Sequence, residues 1–134
     1  MTIDELLQTP HWVIDILPKQ VPAGSPGQFF AVEKFLLDEA RMAKIKDRHI
    51  NFVLKLNCYM DISIDDEVNP SPLRIAQDMR RRYVWIRIGD AAIISEPDDT
   101  HMTLLNADGE LLELAKAIAS GEGLFVWQPK EGNE

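Results

Sequence analysis

The chain has 134 residues, 46% of them hydrophobic, which is the size of one domain able to bury a continuous core without disulfides or a structural metal. Its 22 Asp and Glu against 14 Lys and Arg give a formal net charge of -8, which repels phosphate backbones and argues against nucleic-acid binding. A single cysteine excludes an internal disulfide framework, and an acidic start followed by no long apolar run argues against a signal peptide or membrane span, so the expectation is a cytoplasmic protein with no membrane partner.

Residues 2–8 suit a short helix, with Thr2 as N-cap and Glu5 completing a capping box before Pro10 stops it. Residues 12–17 then read as a strand that is apolar on both sides, with Trp12, Ile14 and Ile16 opposite Val13 and Leu17. Asp15 is the exception; a carboxylate at a partly open strand position, or bonded to a neighbouring loop, is the expected explanation ahead of a catalytic role. Prolines and glycines in 18–27 make a connection that ends in a second capping box of Ser25, Pro26 and Gln28. One long helix should follow, with Phe29, Val32, Leu36, Ala40 and Ala43 in a stripe widened by Phe30 and Leu37. Its other side carries Glu33, Lys34, Asp38, Arg41 and Lys44, and 47–49 turns the chain onward.

Between 50 and 64 every even position is apolar: Ile50, Phe52, Leu54, Leu56, Cys58, Met60, Ile62 and Ile64. A period of two with one apolar side predicts a β-strand with one face on a core. At ~3.3 Å per residue such a strand runs ~50 Å, too long for a compact chain of this length, so it must bend or fold back through a loop at 57–59. Its polar side would set Lys55, Asn57, Tyr59 and Asp61 in one row, a face suited to recognising a polar ligand or another chain.

Ser71 and Pro72 open a further helix in which Leu73, Ala76 and Met79 recur up to Arg80, Arg81 and Arg82. A hairpin follows, 83–88 and 91–96 around Gly89 and Asp90, and a two-residue loop there pairs Ile88 with Ala91, Ile86 with Ile93 and Trp85 with Ile94. Residues 101–106 form another strand, Asn106 or Asp108 caps a helix that ends at Gly121, and 124–127 is a last strand before a frayed tail at 129–134. This order predicts a single α+β domain over 1–134: a two-layer sandwich with a mixed, mostly antiparallel sheet of about six strands and helices mainly on one face. Parallel pairing within the two β-α-β units, 12–64 and 101–127, stays open.

No motif calls for a cofactor or a catalytic apparatus. Cys58 lies on the apolar row and is expected to be buried and structural. The histidines, His11, His49 and His101, lack zinc-ligand spacing. Two acidic loops, Asp65, Asp66 and Glu67 and then Asp98 and Asp99 with His101, would have to converge to hold a hard cation, and no metal ligand is assigned. Three successive arginines beside Tyr83 offer an anion clasp, although consecutive helical residues point in different directions. Trp85, Ile94 and Leu105 place apolar groups on the sheet face away from the helices, which requires an intramolecular cap or a partner. The expectation is therefore a non-enzymatic binding module that self-associates as a homodimer or homo-oligomer, or binds a protein partner, through residues including Lys55, Asn57, Tyr59, Asp61 and Trp85. The alternative is a small-molecule-binding protein or small enzyme with a polar pocket that draws in His101, and a third is an acidic inhibitor or immunity-type protein.

Overall fold

Alternation along three consecutive strands sets the architecture. In β4 (Val84–Ile88), β5 (Ala91–Ser95) and β6 (His101–Leu105), Val84, Ile86, Ile88, Ala91, Ile93, Met102 and Leu104 point into one large core. The intervening Ala92, Ile94, Leu105 and Trp85 belong to a second, smaller cluster on the opposite face. The computed structural model describes residues 1–22 and 27–129.

The remaining strands are β1 (His11–Asp15), β2 (Ser63–Ile64), β3 (Glu67–Val68) and β7 (Phe125–Trp127), and all seven form one sheet in the order β3-β2-β4-β5-β6-β1-β7. Every neighbouring pair is antiparallel. The α+β sandwich is therefore as expected, with seven strands instead of about six and antiparallel pairs where parallel ones had been left open. The hairpin adopts the expected register, Ile88 to Ala91, Ile86 to Ile93 and Trp85 to Ile94, and Gly89 takes a φ of +56° in its turn.

The inner face is covered by α3 (Glu39–Asn57), α4 (Pro72–Arg81) and α5 (Gly109–Gly121), which pack around Phe52, Val53, Leu56, Ile75, Met79 and Leu111. Thr2, Ser71 and Asp108 act as side-chain N-caps of α1 (Ile3–Leu7), α4 and α5. The cap expected from Ser25 and Pro26 and the tail at 130–134 lie outside the described residues. Gly27 occupies the N-cap position of α2 (Gln28–Leu36).

The largest correction concerns 50–64, which is not a strand. Residues 50–57 are the last two turns of α3, 58–62 form a turn and connection, and only Ser63 and Ile64 are extended. The buried positions of α3 are Met42, Ile45, Lys46, His49, Ile50, Phe52, Val53 and Leu56, a stripe of helical period. Two of those positions are polar, Lys46 and His49, so the apolar stripe is interrupted where the helix continues through the turn expected at 47–49. Val53, the one apolar residue at an odd position, is fully buried. Cys58 is a second correction: as the C-cap residue of α3 it faces solvent and is exposed. The single long helix is also divided, because Asp38 leaves helical geometry at ψ 136° and starts α3 as a separate element after α2.

Candidate functional site

The two faces of the sheet are finished differently. On the outer face, α1 lays Leu6, fully buried, against Ala92 and Leu105 with Trp85 and Ile94 beside them. The intramolecular cap thus covers the apolar groups that the sequence left unaccounted for. Farther along the same face, α2 lies over β1, β6 and β7 but buries none of its residues. Between α2 and the strands is a cavity of about 310 Å³, at the small end of the ~300–1,000 Å³ range of small-molecule sites.

Alternation accounts for its floor. Ile14 points into the main core, so Val13 and Asp15 point the other way, and the register sets Asp15 directly opposite His101 of β6 and Val13 opposite Trp127 of β7. Phe29, Val32 and Leu36 of α2 form the roof, one helical turn apart, with Glu33 between them and Lys19 on the connection. Trp127 is fixed by donating its indole N–H to the carbonyl of Leu17 at 3.0 Å. The walls are thus largely apolar, with one carboxylate and one imidazole side by side on the floor.

Asp15 is only 8% exposed. Burial raises its carboxyl above the ordinary aspartate range, while the backbone N–H groups of Leu17 and Ile16 and the neighbouring His101 act in the opposite sense. Among the described residues, no cationic side chain forms an ion pair with it. A buried carboxylate without a countercharge destabilises the fold that holds it.

The other buried ionisable cluster is fully occupied. The Lys46 ammonium, on α3, donates to Nδ1 of His49 at 3.1 Å, to the Glu96 carbonyl at 2.7 Å and to Ser95 Oγ at 3.4 Å. His49 in turn uses Nε2 to reach the Thr100 carbonyl at 3.3 Å, which makes it the Nε2–H tautomer and leaves Nδ1 free to accept. Burial lowers Lys46 to about 8 against the pull of Asp99, Asp98 and Glu96, and burial together with the Lys46 charge lowers His49 to about 3. This pair ties α3 to the loop between β5 and β6 and has no spare donor for a ligand.

Of the residues expected to share one recognition face, Asn57 and Asp61 are brought together through Asn69, while Lys55 and Trp85 lie elsewhere. Lys55, exposed on α3, pairs with Glu122 after α5. Asn57 donates to the Met60 carbonyl at 3.1 Å and to Asn69 Oδ1 at 2.8 Å, and Asn69 donates to Asp61 at 3.0 Å, a network that closes the connection from α3 to β3. Tyr59 is exposed beside it. Trp85 stands apart on the outer sheet face and donates its indole N–H to the Tyr83 hydroxyl at 2.7 Å. The row existed only if 50–64 were one strand, and the helix scatters it. Two of the three successive arginines are engaged in ion pairs: Arg80 with Asp47, and Arg82 with Asp65 at 2.6 Å and Asp78 at 3.2 Å. Arg74 holds Glu67 at 2.7 Å. Among the described residues, no three His, Cys, Asp or Glu side chains are grouped to hold a metal ion.

Asp15 and His101 were both visible in the sequence, the first as the one charge in an apolar strand. Their adjacency was not, because β1 and β6 are remote in the chain. No protein-family model, curated protein or solved structure matches this chain.

Asp15→Asn removes the buried charge while keeping an acceptor for the two N–H groups. A carboxyl raised on folding contributes stability that is full below the unfolded-state value and lost as pH rises through the folded-state value. The variant should therefore have a higher urea midpoint than the native protein at pH 7, with the gap closing as pH falls through the aspartate range. Equal midpoints at pH 7 would show that the carboxylate costs nothing to bury.

Proposed function

We propose that this protein is a binding module for a small, largely apolar molecule, held between α2 and the outer face of the sheet. The observation that carries this reading is the combination of a preformed cavity, apolar walls and a single buried carboxylate on its floor. α1 seats a fully buried leucine on its part of the same face, and α2 buries none of its residues. Fragment titration followed by NMR tests this directly. Small aromatic and branched aliphatic fragments should shift the signals of Val13, Leu36 and the Trp127 indole in preference to the rest of the chain. A fragment set that leaves those signals unmoved at millimolar concentration overturns the reading.

A second reading, association with another copy of this chain, is favoured by the outer surface of α2. Phe30 is 72% exposed and Phe35 58% exposed, and Leu37 is exposed beside them, an apolar display that a surface helix does not need for solubility. Phe35 is partly shielded by the Arg41 guanidinium, 3.7 Å from its ring centre. Under this reading sedimentation velocity shows a dimer that Phe30→Ser with Phe35→Ser converts to monomer. A native chain that stays monomeric at every concentration up to the millimolar range rejects it.

A further inference from the structure

We infer that the ligand of this cavity is a primary amine, an ammonium group carried on a short link from an aromatic or branched apolar body. The inference rests on the cavity being a binding site and names the chemistry the site selects.

Three observations converge on a cation. The first is Asp15 itself, more than nine-tenths buried, on the floor of the cavity and without an ion-pair partner among the described residues. A ligand ammonium would supply the missing countercharge and donate charge-assisted hydrogen bonds to an acceptor already shielded from water. The second is the charge balance of the other polar groups that line the cavity: among the described residues Glu33 adds a second carboxylate from α2 and Lys19 is the one Lys or Arg, beside the uncharged Gln20 and Thr100 and the imidazole of His101. A ligand carboxylate would meet Asp15 at close range in a low dielectric and be repelled. The third is the field of the whole chain, whose net charge of -8 draws cations toward it.

The rest of the cavity describes the body of the ligand. Phe29 and Trp127 contribute ring surface, and Val13, Val32 and Leu36 contribute branched aliphatic surface. Rings near the carboxylate also favour an ammonium through their π faces. Because Trp127 commits its indole N–H to Leu17, it presents an aromatic wall and not a donor. An aromatic or branched group therefore fits the walls, and a short link lets the nitrogen reach the floor.

Isothermal titration at pH 7 with matched probes tests the inference: 2-phenylethylamine, 2-phenylethanol and phenylacetate, each against the native protein, Asp15→Asn and Glu33→Gln. The native protein is expected to bind the amine at least tenfold more tightly than the alcohol, and the carboxylate most weakly. Asp15→Asn should erase the preference for the amine while leaving binding of the alcohol within about twofold, and its unfolding midpoint shows that it is folded. Glu33→Gln should weaken the preference by less than Asp15→Asn does, because Glu33 adds to the negative field of the cavity without sitting on its floor. An alcohol that binds the native protein as tightly as the amine, or an Asp15→Asn variant that keeps the amine preference, overturns the assignment to Asp15 while the cavity stands as a site. Loss of the preference in Glu33→Gln but not in Asp15→Asn also overturns it. Failure of all three probes, the neutral alcohol included, rejects the cavity as a site together with the amine.

Discussion

The sheet has to be covered on both faces, and the rest of the molecule follows from that constraint. Its central strands alternate between two sets of apolar residues, Ile86, Ile93, Met102 and Leu104 on one side and Ala92, Ile94 and Leu105 on the other. Antiparallel sheets commonly leave one face to solvent, with polar residues there; this one cannot. Three helices supply the inner layer. The outer layer is thinner, a five-residue helix and a nine-residue helix placed at opposite ends of the face. The short one seats a buried leucine and is flush. The longer one stands off the strands, and the space beneath it is the candidate site.

Buried charge separates what holds the fold from what is available to a ligand. Lys46 and His49 sit in the core stripe of α3, yet their nitrogens reach partners on the loop between β5 and β6. A satisfied buried network fixes one arrangement of the helix against the sheet. Asp15 has no such cation. The cost of its burial is offset in part by the backbone N–H groups of Leu17 and Ile16 and by His101, and no ion pair among the described residues neutralises it.

Legibility in the sequence followed the range of the interactions. The register of the hairpin expected at 83–88 and 91–96 was readable, with each outer end one residue shorter, because a two-residue turn with a glycine fixes the pairing locally. The N-caps of α1 and α4 were readable for the same reason, as each lies within three residues of the N–H it accepts from. The failure at 50–64 has a specific cause. The period of two was produced by three unlike segments in succession, and Lys46 and His49 interrupt the apolar stripe of the helix, where their partners, Ser95, Glu96 and Thr100, lie far along the chain. Once that strand dissolves, so does the row of Lys55, Asn57, Tyr59 and Asp61. The candidate site was half visible: Asp15 and His101 stood out as residues, but their pairing across β1 and β6 and the standoff of α2 are tertiary facts.

The placement of α2 over the outer sheet face is the central claim, since without it there is no cavity and Asp15 faces water. The most direct measurement is a set of methyl and aromatic NOEs in solution on a uniformly labelled sample. Cross-peaks should connect the Val32 and Leu36 methyls or the Phe29 ring with Val13, Ile16 or the Trp127 ring. Their absence, with cross-peaks from α1 to Leu105 still present, would place α2 away from the sheet and contradict the account.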